Sequence, residues 1–562
     1  MPNHAHTVSN AEIADRLASL AQLLSAQREN PYKVKAYQRA AAKIRTLSES
    51  IEELVRDEVD LTAYAGIGEA ISGAIQEIVR TGTLGKLEKL RSQAPPELAS
   101  LSDYPRLDAK RVLGAYKKLG ISSIDALREK LENGELERAV GLRTAQHIRQ
   151  GLTETHAILL HKAHDLRNTV EEFLLNRCGA RAVEAVGDYR RCVEIIEELA
   201  FVVDVEDFAT LVAKVERYGG RTPLLSANKN TAVYALSSGV RLRIDRATKE
   251  NWGLSLIRCT GNKRHLRKLA SVTGALESLQ SKGPFPTENH FYRQFGLSFI
   301  APELREGHDE VSLAAQDLLP VLVTAKDICG DLHAHSTSSD GAHSIEQMAA
   351  AARDYGYEYL GITDHSQSLK IARGVAIEDL WKQIRFIDKL NSRLNGIRIL
   401  KSAEVDILAD GSLDYPDDLL RELDYTVCSV HSRFALAKTQ QTERILRAMD
   451  NRYFHILGHA TGRLLLKRPG YDIDIQRVII HAKRNGCFFE INSSPDRLDL
   501  SADNARLAQK AGVKIAISTD AHSVHEFATI RYGIEQARRA GLERASILNC
   551  TPLDAILSLL NR

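Results

Sequence analysis

Asp331-Leu332-His333-Ala334-His335, at the end of the strand-like segment Ile328–His333, is the stretch on which the fold turns. Six more strand-like segments follow: Tyr359–Ile362, Ile397–Ser402, Tyr425–Ser429, His455–Leu457, Cys487–Ile491 and Val513–Ile517. Amphipathic helical stretches, such as Ile345–Tyr355 and Ala376–Leu394, separate them. Regular alternation of strand and helix implies a parallel sheet. Seven such units imply a closed barrel, one unit short of the common eight.

The strand ends carry metal-ligand residue types. The second ends in Thr363-Asp364-His365, the third leads to Glu404, and the fourth ends in Ser429-Val430-His431. The fifth ends in Gly458-His459, the sixth in Glu490-Ile491-Asn492 and the seventh in Thr519-Asp520-Ala521-His522. Side chains at i and i+2 of a strand share a side, which pairs His333 with His335 and Asp520 with His522. In a parallel barrel such groups collect at the C-terminal mouth. His333, His335, His365, His431, His459 and His522, with Asp340, Glu404 and Asp520, are therefore expected to converge. This donor set suits two or three divalent ions with a bridging carboxylate. His343, His455, His481 and His525 lie off the strand ends and read as structural.

Upstream of a boundary near 319–326 the pattern changes. Residues 180–260 are mixed α/β, with strand-like Ala200–Val205 and Val240–Ile244, and residues 11–160 read as helices. Ile13, Leu17, Leu20 and Leu24 share one helix face. Asn30-Pro31 opens a helix whose Lys33, Lys35, Arg39, Lys43 and Arg45 are met by no acid between Asn30 and Leu47. Ala65-Gly66-Ile67-Gly68 then leads into a helix over Glu69–Arg80. A Gly-x-Gly turn at a helix N-terminus exposes amides that can hold a DNA phosphate without reading sequence.

Composition excludes several classes. The 562 residues carry 75 basic and 73 acidic side chains, net +2, which excludes a uniformly basic nucleic-acid coat. At 44% hydrophobic and 26% charged, the chain is not disordered as a whole. The seven cysteines are odd in number and never in a C-x-x-C pair, unlike a disulfide framework or zinc finger. No apolar run approaches ~18 residues, so the chain reads as soluble and cytoplasmic, with no membrane partner.

From about Asp331 onward the motifs resemble the PHP (polymerase and histidinol phosphatase) family of metal phosphoesterases. The resemblance implies one metal on His333, His335, Glu404 and Asp520, and a second on Glu404, His431 and His459. A third would take Asp340, His365 and His522. It favours Mn²⁺ or Zn²⁺, with Fe²⁺ a further candidate. Arg373, Arg463 and Arg497 (in Ala372-Arg373-Gly374, Gly462-Arg463 and Pro495-Asp496-Arg497-Leu498-Asp499) read as phosphate-binding, with surface ion pairs as the alternative.

The first 320 residues resemble the bacterial family X DNA polymerases, which carry a PHP domain at the C-terminus. Asn30-Pro31-Tyr32-Lys33 with Ala36-Tyr37 is similar to the family's 5′-phosphate-binding helix. Gly66-Ile67-Gly68 is similar to its helix-hairpin-helix turn, and Gly187-Asp188-Tyr189-Arg190-Arg191 to its palm motif. Thr260-Gly261-Asn262-Lys263, Gly296-Leu297 and Pro302-Glu303-Leu304-Arg305 are similar to thumb elements. The resemblance implies DNA contacts at Lys33, Lys35, Tyr37, Arg39, Gly66 and Gly68.

The departures fall on chemistry. Where the family has Asp-x-Asp this chain has Glu198-Leu199-Ala200, and the third aspartate's place holds Arg241. Positive charge there opposes the two metal ions that nucleotidyl transfer requires. The lyase lysine maps to Ala74, and Asp188 stands where the palm motif has serine. The second helix-hairpin-helix turn, Pro105-Arg106-Leu107-Asp108, lacks both glycines.

The expected fold is multidomain, α plus α/β. It comprises an N-terminal helical domain with the helix-hairpin-helix (1–90), fingers-like helices (91–160), a degenerate palm (161–255), a thumb-like part (256–320) and a seven-unit (β/α) PHP barrel (327–562). The expected function is a metal-dependent DNA phosphodiesterase, a 3′→5′ exonuclease of DNA repair. Its substrates would be single-stranded DNA, gaps or 3′ ends, and its polymerase half would bind DNA without extending it. A monomer in the cytoplasm, associated with the nucleoid, is expected. The alternatives are a small-molecule phosphomonoesterase of histidinol phosphatase type, a non-enzymatic DNA-end scaffold, and a polymerase with atypical ligands.

Overall fold

A serine ahead of an apolar-periodic run starts the first helix. In the computed structural model, which describes residues 8–27, 29–104, 107–152, 157–281 and 283–561, Ser9 and Glu12 form a capping box for α1 (Asn10–Ala26). Asn30 accepts from the Tyr32 amide and Pro31 presets the first turn of α2 (Pro31–Ile44). Val34, Tyr37, Ala41 and Ile44 form the buried face of α2, while Lys35 and Arg39 stay exposed. Gly68 begins α3 (Glu69–Thr81) with no side-chain cap. One hydrophobic core runs through this helical region from Val8 to Ile148.

Contacts divide the chain into two compact units. The first comprises residues up to Arg190 with Ile195–Phe299, and the second Arg191–Glu194 with Ile300–Arg562.

The larger sheet of the first unit contains β1 (Ala182–Val186), β2 (Glu198–Asp204), β3 (Leu224–Ala227), β4 (Thr231–Ala235) and β5 (Arg241–Ala247), in the order β1-β2-β5-β4-β3. Only β2 and β5 pair in parallel, and their register sets Glu198 opposite Arg241 and Ala200 opposite Arg243. Two helices follow, α4 (Trp252–Thr260) and α5 (Lys263–Thr273). Leu256, Trp252 and Cys259 of α4 pack with Val186, Ala200, Val202 and Ala247 of the sheet.

The second unit is the barrel. Its strands are β6 (Gly330–Ala334), β7 (Tyr359–Ile362), β8 (Arg398–Lys401), β9 (Glu404–Asp406), β10 (Val427–Ser429), β11 (Ile456–Leu457), β12 (Phe488–Asn492) and β13 (Ile515–Ser518). They form a parallel three-stranded sheet, β8-β7-β6, and a parallel five-stranded sheet, β9-β10-β11-β12-β13. β8 and β9 are two halves of one strand, broken at Ser402-Ala403. One β-bridge at each seam, His365–Glu404 and Ala334–Ala521, closes the ring. Seven strands in a closed parallel ring, with helices such as Ile345–Asp354 and Ile377–Asn391 between them, match the expected barrel.

The barrel is apolar at one end and polar at the other. Leu332, Tyr359, Leu400, Val427, Ile456 and Ala516 pack with Ile556 and Leu560 of the last helix, Leu553–Leu560. That plugs the N-terminal end. Among the described residues, no helix is long and apolar enough to cross a membrane.

Candidate metal centre

Strand ends carry the polar side chains into the opposite mouth. Glu404, fully buried in the seam between β7 and β9, is the hub. Its Oε1 lies 2.9 Å from His459 Nε2 and 3.3 Å from His431 Nε2. Its Oε2 lies 2.7 Å from His365 Nδ1, 3.6 Å from His333 Nε2 and 3.8 Å from His335 Nε2. Asp520 Oδ1 is 3.1 Å from His335 Nε2 and 3.5 Å from His333 Nε2. Asp340 Oδ1 is 3.4 Å from His522 Nε2, 3.6 Å from His365 Nε2 and 4.0 Å from His335 Nδ1. All nine strand-end residues thus lie within one cluster.

Three overlapping groups present donor atoms mutually within 4.8 Å: His335, Asp340, His365 and His522; His333, His335 and Asp520; His365, Glu404 and His431. His459 joins through Glu404. Glu404 stands beside His365 as well as His431, a closer link between these groups than the spacing of the motifs suggests.

The cluster fits divalent ions on its own chemistry. His333 Nε2, His335 Nδ1, His459 Nδ1 and Glu404 Oε2 are buried and have no hydrogen-bond partner. Each such atom costs about 1–3 kcal/mol when left unsatisfied, and imidazole and carboxylate lone pairs converging on one space are what a divalent cation satisfies. Burial, reinforced by His365, lowers the His335 pKa to about 4, which leaves this imidazole neutral with a lone pair to offer. Burial pushes the Glu404 and Asp520 carboxyls upward, but the surrounding imidazoles outweigh it and hold both well below the usual carboxylate range. His459 and Asp520 sit at φ +25° and +56°, in the left-handed region that non-glycine residues enter at a cost.

A second layer fixes the first, and the sequence reading assigned it no role. Glu490, wholly buried, lies 2.7 Å from His333 Nδ1 and accepts from the His459 amide at 2.7 Å. Asp406 pairs with His431 Nδ1. Asn492 donates to Asp520 Oδ2 at 3.0 Å. Asp364 accepts from the Ser336 amide at 2.8 Å, from Ser336 Oγ at 2.7 Å and from Ser339 Oγ at 2.6 Å, tying down the loop that carries Asp340. A period-2 signal was available for Asp406, two residues after Glu404 on one strand.

The three arginines fare differently. Arg497 Nε lies 3.8 Å from Asp520 Oδ2, beside the cluster. Arg373 is exposed, in left-handed backbone at φ +56°. Arg463 departs from the expectation. Its Nε donates to the Arg497 carbonyl, and its Nη2 donates to the Leu498 carbonyl and pairs with Glu194 at 3.1 Å, so both are engaged inside the fold.

In the helical region, Lys35 and Arg39 are exposed, and Lys33 pairs with Glu29 at 3.6 Å. Tyr37 departs from the expectation: it is 7% exposed and belongs to the core. Tyr32, 83% exposed at the start of the same helix, is the aromatic open to a ligand. Gly66 takes φ +92° in an exposed turn and Gly68 opens α3, while Ala74 packs against the core. Pro105 and Arg106 of the second turn lie outside the described residues.

On the palm sheet, Glu198 accepts from Arg243 Nε at 2.7 Å, and Arg243 also pairs with Asp245. Burial opposes the Arg243 charge, but Asp245 and Glu198 outweigh it and raise the guanidinium pKa. Ala200 offers no ligand and Arg241 is exposed directly across from Glu198.

Comparison with known proteins follows this division. The helix-hairpin-helix domain family matches residues 8–84, and the PHP domain family matches residues 331–494. The chain is 32% identical to "DNA polymerase/3′-5′ exonuclease PolX" of Bacillus subtilis (strain 168), across 98% of this chain and 99% of that protein. It is also 32% identical to a probable phosphatase of Thermoanaerobacter sp. (strain X514), over 39% of this chain and 89% of that protein. A probable phosphatase of Acetivibrio thermocellus is 31% identical, over 34% of this chain and 78% of its own length.

Proposed function

The chain belongs to the bacterial family X DNA polymerases with a C-terminal PHP domain, and on that premise we propose that its barrel hydrolyses DNA phosphodiesters in the 3′→5′ direction while its polymerase half binds DNA without extending it. The observation that carries the hydrolytic reading is the convergence of His333, His335, His365, His431 and His459 on the buried Glu404 carboxylate, with His333 Nε2 and Glu404 Oε2 left without a hydrogen bond. Divalent ions bound there supply positive charge to a phosphodiester and acidify water.

The chain's own residues would divide the work. His333, His335, Glu404 and Asp520 hold one ion, Glu404, His431 and His459 a second, and Asp340, His365 and His522 a third. Glu490 and Asp406 hold the Nδ1 sides of His333 and His431, which turns the other ring nitrogen inward. Arg497 and Arg373 receive substrate phosphate, and Arg463 braces the loop beneath Arg497. Lys33, Lys35, Arg39 and the Gly66–Gly68 turn grip the DNA backbone, with Tyr32 as a stacking platform.

The inactive-polymerase reading rests on the palm charges: one acid lengthened to Glu198, one erased at Ala200, one inverted at Arg241. On this reading the finer domain divisions fall at 90, 160, 255 and 320–327, and the protein acts as a monomer at the nucleoid. The test is a labelled oligonucleotide with Mn²⁺, with and without dNTPs, on single-stranded, gapped and nicked substrates. Shortening without extension is expected; extension by dNTPs overturns the palm reading, and neither shortening nor metal uptake overturns the barrel reading.

A second reading, phosphomonoester hydrolysis, draws on the relatives named as probable phosphatases. A salt-sensitive preference for an oligonucleotide over a chromogenic phosphomonoester favours the DNA substrate.

A further inference from the structure

Directly after His365 the chain leaves the barrel mouth, turns through Lys370–Ala372 and comes back to the same place. The Val375 amide bonds to the His365 carbonyl at 2.8 Å, and Ser366 and Val375 bridge the base of the loop. Ser366 Oγ accepts from the Asp406 amide at 2.9 Å, and the Ser368 amide donates to Asp414 Oδ2 at 2.8 Å. The Tyr415 hydroxyl donates to the Val375 carbonyl at 2.6 Å. Gly374 fits only without a side chain, since a Cβ there would lie 2.0 Å from the Ser366 carbonyl oxygen. Both arms of the loop are thus anchored.

The tip is built the other way. Ile371 is 95% exposed, more than any other large apolar side chain among the described residues, although its neighbour Ala372 is buried. A lone exposed apolar residue is ordinary on a surface. This one is held out by a loop with fixed arms at the rim of a buried donor cluster. Exposed Lys370 precedes it and exposed Arg373 follows two residues on. On the next loop, the His431 ring lies 5.3 Å from the His365 ring, and two residues past His431 the exposed Arg433 takes left-handed backbone at φ +57°. An apolar side chain set among cations matches the alternation of base and phosphate along a nucleic-acid strand, and has no counterpart in a phosphate ester without a base.

We propose that Ile371 is a specificity residue, which packs against the face of a nucleobase next to the scissile phosphodiester and so makes the barrel prefer an oligonucleotide over a phosphate ester without a base. The proposal rests on the DNA-hydrolysis reading above and adds a contact that the metal cluster, which meets only the phosphate group, cannot supply. Because the side chain is exposed, its replacement leaves the core untouched.

The test measures Mn²⁺-dependent shortening of oligothymidylate by the full chain, as wild type, Ile371→Ser and Ile371→Leu. The serine variant should raise KM about fivefold with kcat within about twofold of wild type, and the leucine variant should stay near wild type. On an oligonucleotide whose last two residues are abasic, wild type and Ile371→Ser should share one raised KM. Oligonucleotides abasic at only one of those residues show which base is touched: the serine variant loses its effect on that substrate alone. A readout without turnover uses 2-aminopurine at that residue on a hydrolysis-resistant phosphorothioate strand. Its fluorescence should change on binding wild type and change less with Ile371→Ser. Equal KM for wild type and Ile371→Ser on the intact strand, an undiminished variant effect on the doubly abasic one, or identical fluorescence changes overturns the proposal and leaves the DNA reading standing. A metal-loaded wild type that shortens no oligonucleotide overturns both.

Discussion

The palm sheet and the barrel mouth both place acids on parallel strands, and they resolve the charge in opposite ways. On the palm, Glu198 finds Arg243 at 2.7 Å, Arg243 finds Asp245, and Arg241 stands across the ladder. Every acid there has a cation built into the chain. At the mouth, Glu404 and Asp520 are surrounded by imidazoles, and buried lone pairs remain unpaired. A carboxylate facing arginine is finished, whereas one facing histidine still has room for a metal, which can displace the imidazole proton. The difference lies in the partner, not in the acid.

The largest effect is expected at the hub. Loss of an outer partner of a metal ligand costs about 10–100-fold, so Glu404→Gln should lower hydrolysis by more than about 100-fold and reduce bound metal per chain. Activity and metal content at wild-type levels would end the contrast at once. The palm supplies the converse. Glu198→Asp/Ala200→Asp/Arg241→Asp restores acids in place of an inverted charge and should add Mn²⁺ binding in the first unit by calorimetry, with barrel hydrolysis unchanged. No added uptake would mean that the arginines are not what opposes metal binding on the palm.

A finer effect is expected behind the hub. Glu490→Gln keeps an acceptor for the His459 amide but weakens the hold on His333. It should reduce metal affinity by about 10–100-fold in a chelator competition while the fold persists. An unchanged affinity would place Glu490 in packing alone.

The smallest effect concerns a barrel carboxyl with no ring of histidines. Burial, with Glu303 beside it, raises the Glu535 pKa to about 7 against the pull of Arg531 and Arg538. A raised folded pKa means stability that is fully present below about pH 4.3 and lost as pH climbs through 7. Glu535→Gln should therefore match the wild type near pH 4 and exceed it above pH 8, by roughly 3 kcal/mol in denaturant titrations. Equal stability at pH 8 would mean that the arginines already neutralise this acid, as they do on the palm.

The sequence carries much of this. Strand ends announce themselves because a ligand pair must sit at i and i+2, and because seven apolar runs recur with helices between them. The palm departures were legible as missing acids in a known order, and the register of β2 against β5 gives them a place. What was not legible depends on closure. Glu404 becomes the hub only once β7 and β9 meet at a seam, and Glu490 reaches His333 across 157 positions. Arg463 looked like a free phosphate ligand because carbonyl partners leave no mark in a sequence. Tyr37 looked like a DNA contact although Val34, Ala41 and Ile44 share its helical face, a spacing that places it in the core.

The barrel closes at two seams, where the Ser366 and Glu404 amides bond to the Glu404 and Thr363 carbonyls and the His335 and Asp520 amides to the Ala521 and His333 carbonyls, and both seams flank the metal cluster. Ions there would act as rivets: Glu404 lies in one seam, Asp520 precedes the other, and His333 and His335 reach both. Ligation then links the three-stranded and five-stranded sheets, and by mass action each tenfold rise in free metal above Kd adds about 1.4 kcal/mol to the folded state. The same atoms that would cut a substrate would then also hold the ring closed, and the unfolding temperature of the barrel would report its metal occupancy.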